Sequence, residues 1–547
     1  MGDTISGIGD IGRGDPGRET ARGPRVAVWG TFDLANFGDL LFPRIFEHEL
    51  RRRLPSVDVR AFAPLGSLHP VALDGGRAAE PLAPWSDERA ARLAKELDLI
   101  AIGGGEIIHT NDDFYAVWYE RDTPELKELR PSELFIEGLG PDLERVSPVV
   151  WHSVGIPFDL EGIAGARVRA ALATRPYVSV RDEISRERLL RAGVEREVEV
   201  VPDSGFVVDR ILPRQVLAKR LEYLRALEAY PSSEPPLVVQ GSAALLPFVD
   251  DIGRGLAQAL DDAGSVPVVL LETGPCHGDR RFTDALAPHL RRPAHRMPAG
   301  ASIEDIAAAI AHARGFVGIS FHGNVTAFVH GVPNTILNLV GYSKLDALAG
   351  LIGGGRHGLV SSVDDLFPAV TRTLAGESPA AGLGAIVQRI DTHFDKLAEI
   401  AEAAASRRSN GHALTEAGAE GSQPAEALRA ANERYESLKQ AYAVRGRRIV
   451  DERLRLAEVV DALEERHRLR DAELEQRLAD TAASAQTLEQ RLAESERLLA
   501  GARAELAALG VRLASARQEI EQIKATKLFR YAAPVRALYA RLLRRTR

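Results

Sequence analysis

Short apolar runs ending in glycine or polar turns, each followed by apolar residues at helical spacing, alternate through the first two thirds of the chain. Val26-Ala27-Val28-Trp29 runs into Gly30, and Leu40 to Leu54 then has the period of an amphipathic helix. The pattern recurs where Leu99-Ile100-Ala101-Ile102 meets Gly103-Gly104-Gly105, where Val149-Val150-Trp151 approaches Gly155, and where Tyr177-Val178-Ser179-Val180 meets Arg181-Asp182. After Pro202 a second series follows: Leu237-Val238-Val239, Val268-Val269-Leu270-Leu271, Gly315-Phe316-Val317-Gly318-Ile319 and Asn334-Thr335-Ile336-Leu337-Asn338-Leu339. Strands apolar on both faces and separated by helices predict a mostly parallel sheet covered on both sides. Two series of comparable length predict an α/β fold of two Rossmann-like lobes, 25–205 and 206–405, meeting near residues 206–232. A substrate cleft is expected between the carboxyl ends of their strands, and exchange of a terminal helix between the lobes stays open.

Beyond this region the period changes. Residues 406–424 are small and polar and read as a linker, after one amphipathic helix near Ile386 to Ala405. Leu428, Tyr435, Tyr442, Ile449, Leu456 and Leu463 then repeat at heptad spacing, and Leu478, Ala485, Leu492, Leu499, Leu506, Leu513 and Ile520 do so again. This predicts a long C-terminal coiled coil over 425–523, joining copies of the chain into a homo-oligomer. The step from Leu463 to Leu478 exceeds two heptads by one residue, so a discontinuity is expected near His467. The tail, 524–547, carries eight Lys or Arg and no Asp or Glu, interleaved with Leu528, Phe529, Tyr531, Val535, Leu538, Tyr539, Leu542 and Leu543. A basic amphipathic tail of this kind fits peripheral contact with an anionic membrane.

Composition narrows the function classes. With 45% hydrophobic and 27% charged residues the 547-residue chain has the balance of a water-soluble protein of several domains. The net charge of -8 argues against nucleic acid as the main partner. Cys276 is the only cysteine, which excludes an internal disulfide and a thiolate metal cluster and fits a reducing, cytoplasmic setting. Residues 1–24 read as a disordered leader. No run approaches the ~20 apolar residues of a membrane span.

Candidate chemistry lies at the strand ends. The turn from Gly30 through Asn36 and Gly38 to Asp39 suits either an anion against a helix N-terminus or an ordinary capped turn, and Gly103-Gly104-Gly105 has the same two readings. Arg181, directly after a strand, either forks onto a carboxylate or phosphate or pins its loop through Asp182. His322, in Ser320-Phe321-His322-Gly323-Asn324, sits where a strand gives way to a helix and is an acid/base candidate.

Taken in order, these pieces resemble the polysaccharide pyruvyltransferase family. The matching positions are Gly30, Asn36, Gly38 and Asp39; Gly103-Gly104-Gly105; Ser153-Val154-Gly155; Ser179-Val180-Arg181-Asp182 with Ser185; Val201-Pro202-Asp203; His322-Gly323; Gly331-Val332-Pro333; and Tyr342-Ser343-Lys344. The resemblance implies a fold like GT-B glycosyltransferases. It also implies transfer of pyruvate from phosphoenolpyruvate to a saccharide of a cell-surface polymer, without metal or organic cofactor. It casts His322 as acid/base, Arg181 as clamp for the donor's anionic groups, Asn36 and Asp39 as cleft floor, and Lys344 as a second anion contact. The chain departs from the family at Ser320, where an arginine is usual; the donor contact then falls to Arg280, Arg281 or Lys344, or the donor differs. A nucleotide-sugar glycosyltransferase and a saccharide-binding coiled-coil scaffold are the alternatives.

Overall fold

The computed structural model describes residues 23–409 apart from 68–70, 72–76, 111–114, 116–118, 120–128, 233, 265, 299, 354–357 and 378–381, and further on 486, 489–525 and 532–544. Among these residues, seven strands form one parallel sheet: β1 (Arg25–Trp29), β2 (Asp58–Ala63), β3 (Glu80–Pro81), β4 (Leu99–Gly103), β5 (Val149–Val154), β6 (Val178–Val180) and β7 (Glu199–Val200). Their order is β3-β2-β1-β4-β5-β6-β7. A second parallel sheet has the order β10-β9-β8-β11-β12-β13, from β8 (Leu237–Gln240), β9 (Val268–Leu271), β10 (His295–Arg296), β11 (Gly315–Gly318), β12 (Asn334–Leu337) and β13 (Leu359–Val360). The central strands β1, β4, β5, β8, β9, β11 and β12 are almost wholly buried, as their continuous apolar text requires. Each sheet reverses its winding once, between β1 and β4 and between β8 and β11, and loops leaving such a reversal splay apart to open a crevice.

The long helix Leu383–Ser409 follows the second sheet in sequence but packs on the first lobe. Its Phe394 and His393 lie against Phe46 and His152, and Arg408 bonds the carbonyls of Ala94 and Leu97 and pairs with Asp98. Arg53, from the helix Phe37–Arg53, and Arg210 both grip Asp391, while Glu49, fully buried, accepts from both arginines. Residues 383–405, grouped with the second lobe by chain order, thus pack against residues of the first lobe.

A directional polar chain anchors that helix. The Tyr177 hydroxyl donates to Glu199 (2.9 Å), so it accepts from His393 Nδ1 (2.7 Å), which leaves His393 Nε2 to accept from His152 Nδ1 (2.6 Å). His152 Nε2 is left as a buried lone pair without a partner. Burial holds both imidazoles below the usual histidine pKa, so both are neutral in the folded protein.

In the C-terminal portion, 489–525 is helical, and Leu492, Leu499, Leu506, Leu513 and Ile520 form a stripe along it, each at least half exposed. The earlier heptad positions, Leu428 to Ala485, and the discontinuity near His467 lie outside the described residues. The helix Ala533–Leu543 has Val535, Leu538 and Tyr539 exposed. Among the described residues no helix is long and apolar enough to cross a membrane.

Because the two histidines are held neutral, stability is complete above the unfolded histidine pKa of ~6.5 and falls as pH drops below it, when the unfolded chain takes up protons first. Urea titrations at stepped pH are expected to show this slope. His393→Ala is expected to flatten it while costing about 2–4 kcal/mol, through a cavity and the stranded His152 and Tyr177 groups.

Candidate active site

Loops from the carboxyl ends of both sheets meet at the two reversals of winding. On the first lobe, Gly30 backs directly onto the carbonyl of Gly103, where a Cβ would lie 2.4 Å away, closing β1 against β4. The β1 loop then folds around Asp39. Thr31 Oγ1 donates to its Oδ1 (2.7 Å) and the Asn36 amide donates to its Oδ2, so this buried carboxylate organises the loop. Burial raises the Asp39 pKa, while Thr31, the nearby His322, Asn36 and Lys344 restrain the rise. After β4, Gly104 and Gly105 take φ values of +96° and +116°, a turn closed to other residues, and this turn delivers Glu106 to the crevice.

The second lobe brings His322. Ser320 caps the helix Phe321–Val329, its hydroxyl accepting from the Gly323 N–H (3.2 Å) and its own N–H donating to Gln240 Oε1 (2.8 Å) across the β8–β11 reversal. Ser320 is thereby committed to the helix start. Asn324 bonds the Gly318 and Ser320 carbonyls, and Asn334 bonds Asn324, fixing this helix to β11 and β12.

His322 crosses to the first lobe. Its Nδ1 lies 1.9 Å from where a Cβ on Gly38 would be, and Phe42 meets its ring edge-on at 5.1 Å. Its Nε2 is 3.4 Å from Asp203 Oδ1, a charge contact without hydrogen-bond alignment. Burial pushes the Asp203 pKa up, but His322, Arg181 and the Gly205 N–H together bring it below the usual value, so Asp203 is an anion. A second joint runs from Phe37 N–H to the Thr273 carbonyl (2.7 Å). The Thr273 loop is itself shaped by buried Asp279, which accepts from the Thr273 and Gly274 N–H groups and from Gln240.

Arg181 and Lys344 converge on one carboxylate. Glu106 Oε1 is 2.9 Å from Arg181 Nη2 and its Oε2 is 2.9 Å from Lys344 Nζ. Arg181 also pairs with Asp182 (3.3 Å) and lies over the Phe321 ring at 4.9 Å. Despite burial, Lys344 and Arg181 hold the Glu106 pKa down at about 2. Arg181 thus pins its loop through Asp182 and also meets Glu106, a carboxylate of this chain. Arg280 is an exposed surface residue paired with Glu272 and Asp284.

Gly30, Asn36, Asp39, Gly103, Gly104, Gly105, Arg181, His322 and Lys344 thus lie on adjoining loops of one crevice. Sequence reasoning did not single out Glu106 or the Thr273 loop, and noted Asp203 only as a motif position. The signal for Glu106 was its place directly after the three glycines.

A family model described as polysaccharide pyruvyl transferase matches residues 36–339, more than half of the chain and from Asn36 past His322. The protein belongs to the polysaccharide pyruvyl transferase family. No curated protein matches the chain. Among solved structures it is similar to the UDP-N-acetylglucosamine 2-epimerase of Rickettsia bellii (13% identity, 71% of this chain and 99% of that one, TM-score 0.45). It is also similar to the UDP-GlcNAc 2-epimerase of Methanocaldococcus jannaschii (12%, 68% and 99%, TM-score 0.43) and the glycosyltransferase SnogD of Streptomyces nogalater (16%, 71% and 99%, TM-score 0.32).

Gly38→Ala is expected to destabilise the protein by about 1–3 kcal/mol by driving the imidazole off its seat. Combined with His322→Ala the penalty should largely vanish, a coupling of at least ~1 kcal/mol in a urea double-mutant cycle. Additive losses would mean that the two residues do not share the space.

Proposed function

We propose that this protein transfers a pyruvyl group from phosphoenolpyruvate to a saccharide of a cell-surface polymer in the cytoplasm, with His322 as acid/base. The observation that carries the reading is His322 itself, seated by the first lobe at the junction of the lobes and inside the family-matched segment. The Asp203 carboxylate, 3.4 Å from Nε2, steadies the ring at the junction, where an imidazole is suited to acid/base work. Protonating the methylene carbon of phosphoenolpyruvate makes its neighbouring carbon electrophilic. A sugar hydroxyl adds there and gives up its proton, and the phosphate leaves with the C–O electron pair. A second hydroxyl then closes the ketal. Arg181 and Lys344 are the cations suited to the donor's carboxylate or departing phosphate.

The test is incubation with phosphoenolpyruvate and candidate saccharides. Phosphate release should accompany a saccharide mass gain equal to phosphoenolpyruvate less phosphoric acid. His322→Ala should reduce turnover by at least about a hundredfold with the fold retained. Turnover with a nucleotide-sugar only would replace the pyruvyl reading with glycosyl transfer, and no turnover with either donor would favour a saccharide-binding scaffold.

The C-terminal portion adds assembly and location to this proposal. The exposed stripe from Leu492 to Ile520 buries its apolar surface when a second copy of the chain pairs with it. On the helix Ala533–Leu543, Val535, Leu538 and Tyr539 share one face while Arg536 and Arg541 point away from it, which suits the surface of an anionic membrane bearing lipid-linked acceptors. Deleting 424–547 is expected to lower the number of copies per particle, read as light-scattering mass divided by chain mass. Deleting only 524–547 should abolish salt-sensitive co-sedimentation with anionic vesicles; equal sedimentation of the shortened chain would refute the membrane contact.

A further inference from the structure

The Glu106 carboxylate occupies the position between Arg181 and Lys344 that a bound anion would need. It is delivered there by a turn that only glycines allow, and its side chain keeps 18% of its exposure, so it is within reach of solvent. Its two partners come from opposite lobes: Arg181 follows β6, and Lys344 begins the helix Ser343–Gly353 of the second lobe. The Arg181 side chain is 4% exposed, and its Nη2, although 2.9 Å from Glu106, has no aligned hydrogen-bond acceptor. A buried guanidinium N–H without an aligned acceptor is costly and gains from a better-placed oxygen. The other carboxylates nearby do not supply it. Asp182 meets Arg181 at Nε, Asp203 faces His322, and Asp39 is held by Thr31 and Asn36. Lys344 forms its ion pair with Glu106, acts on Asp39 at longer range and meets the Tyr342 ring.

We propose that Glu106 is a resident stand-in for a substrate anion, occupying the Arg181–Lys344 subsite until a phosphate group displaces it and takes over the two cations. The carboxylate thus sets a threshold for occupancy. A ligand must offer more than one ion pair's worth of attraction, which a dianionic phosphoryl group does and a single carboxylate does not. The displacing anion then bridges Arg181 and Lys344 itself, so the Glu106–Lys344 link between the lobes is exchanged for one made through the ligand. The inference rests on the transferase reading only for the identity of the natural anion; the subsite and its occupant are features of this chain.

The probe is inorganic phosphate, with acetate as the carboxylate arm and calorimetry as the readout, so that no turnover is required. Glu106→Gln keeps the side chain's shape, removes its charge, and is expected to lower the phosphate Kd by about tenfold or more. Acetate binding should become measurable only in the variant. Each phosphate titration is paired with a thermal melt: phosphate should raise the Tm of the variant more than that of the unaltered protein, and Glu106→Ala should behave alike. A clasp that merely pins the lobes predicts the reverse, a lower Tm that phosphate does not restore and an unchanged or weaker Kd, and that result would overturn the proposal. Tighter phosphate binding without pyruvyl transfer would leave this inference standing and sink the transferase reading. Transfer with no change in phosphate affinity would do the opposite.

Discussion

The site depends on one close packing: an imidazole from the second lobe rests where residue 38 of the first would carry a side chain. Interiors pack densely enough that a single methyl group would expel the ring. Around this contact the other features fall into place. Asp203 meets the far side of the ring, Phe42 its edge, and the Phe37 N–H reaches the Thr273 carbonyl one residue away from Gly38. Each lobe contributes a helix start, and neither holds all of the candidate site without the other.

Charge follows a similar logic. Cationic side chains suited to anions sit among more carboxylates than cations, and every close carboxylate has assigned partners: Asp39 with Thr31 and Asn36, Asp203 with His322, Asp182 with Arg181 and its own helix start, Glu106 with Arg181 and Lys344. Ser320 serves the start of its helix by satisfying the Gly323 N–H, and the close cations of the site are Arg181 and Lys344.

The buried strands were legible in the sequence because a fully covered strand is an unbroken apolar run, and eight such runs coincide with β1, β4, β5, β6, β8, β9, β11 and β12. Edge strands were not. Asp58–Ala63 mixes charged and apolar residues, while Glu80–Pro81, Glu199–Val200, His295–Arg296 and Leu359–Val360 are two residues each, too short to carry a period. The site residues were legible by their positions after strands, but not their pairings: the text around Gly38 could announce a turn, not an imidazole arriving from some 280 residues later. Glu106 showed only its place after three glycines, since its partners are distant in sequence. The return of Leu383–Ser409 to the first lobe rests on His393, Phe394 and Asp391, which in sequence are ordinary helix residues.

That return has a consequence for how the polypeptide is made. During synthesis the first sheet emerges with the surface around Phe46, His152 and Glu49 uncovered, and its closing helix is encoded only after the entire second sheet. Nascent domains ordinarily fold in order as they leave the ribosome. Here the earlier domain must wait for residue 409, so its maturation is tied to that of the domain behind it. A ribosome stalled between the two would hold a half-covered sheet with Phe46 and His152 open to water, a natural target for chaperones.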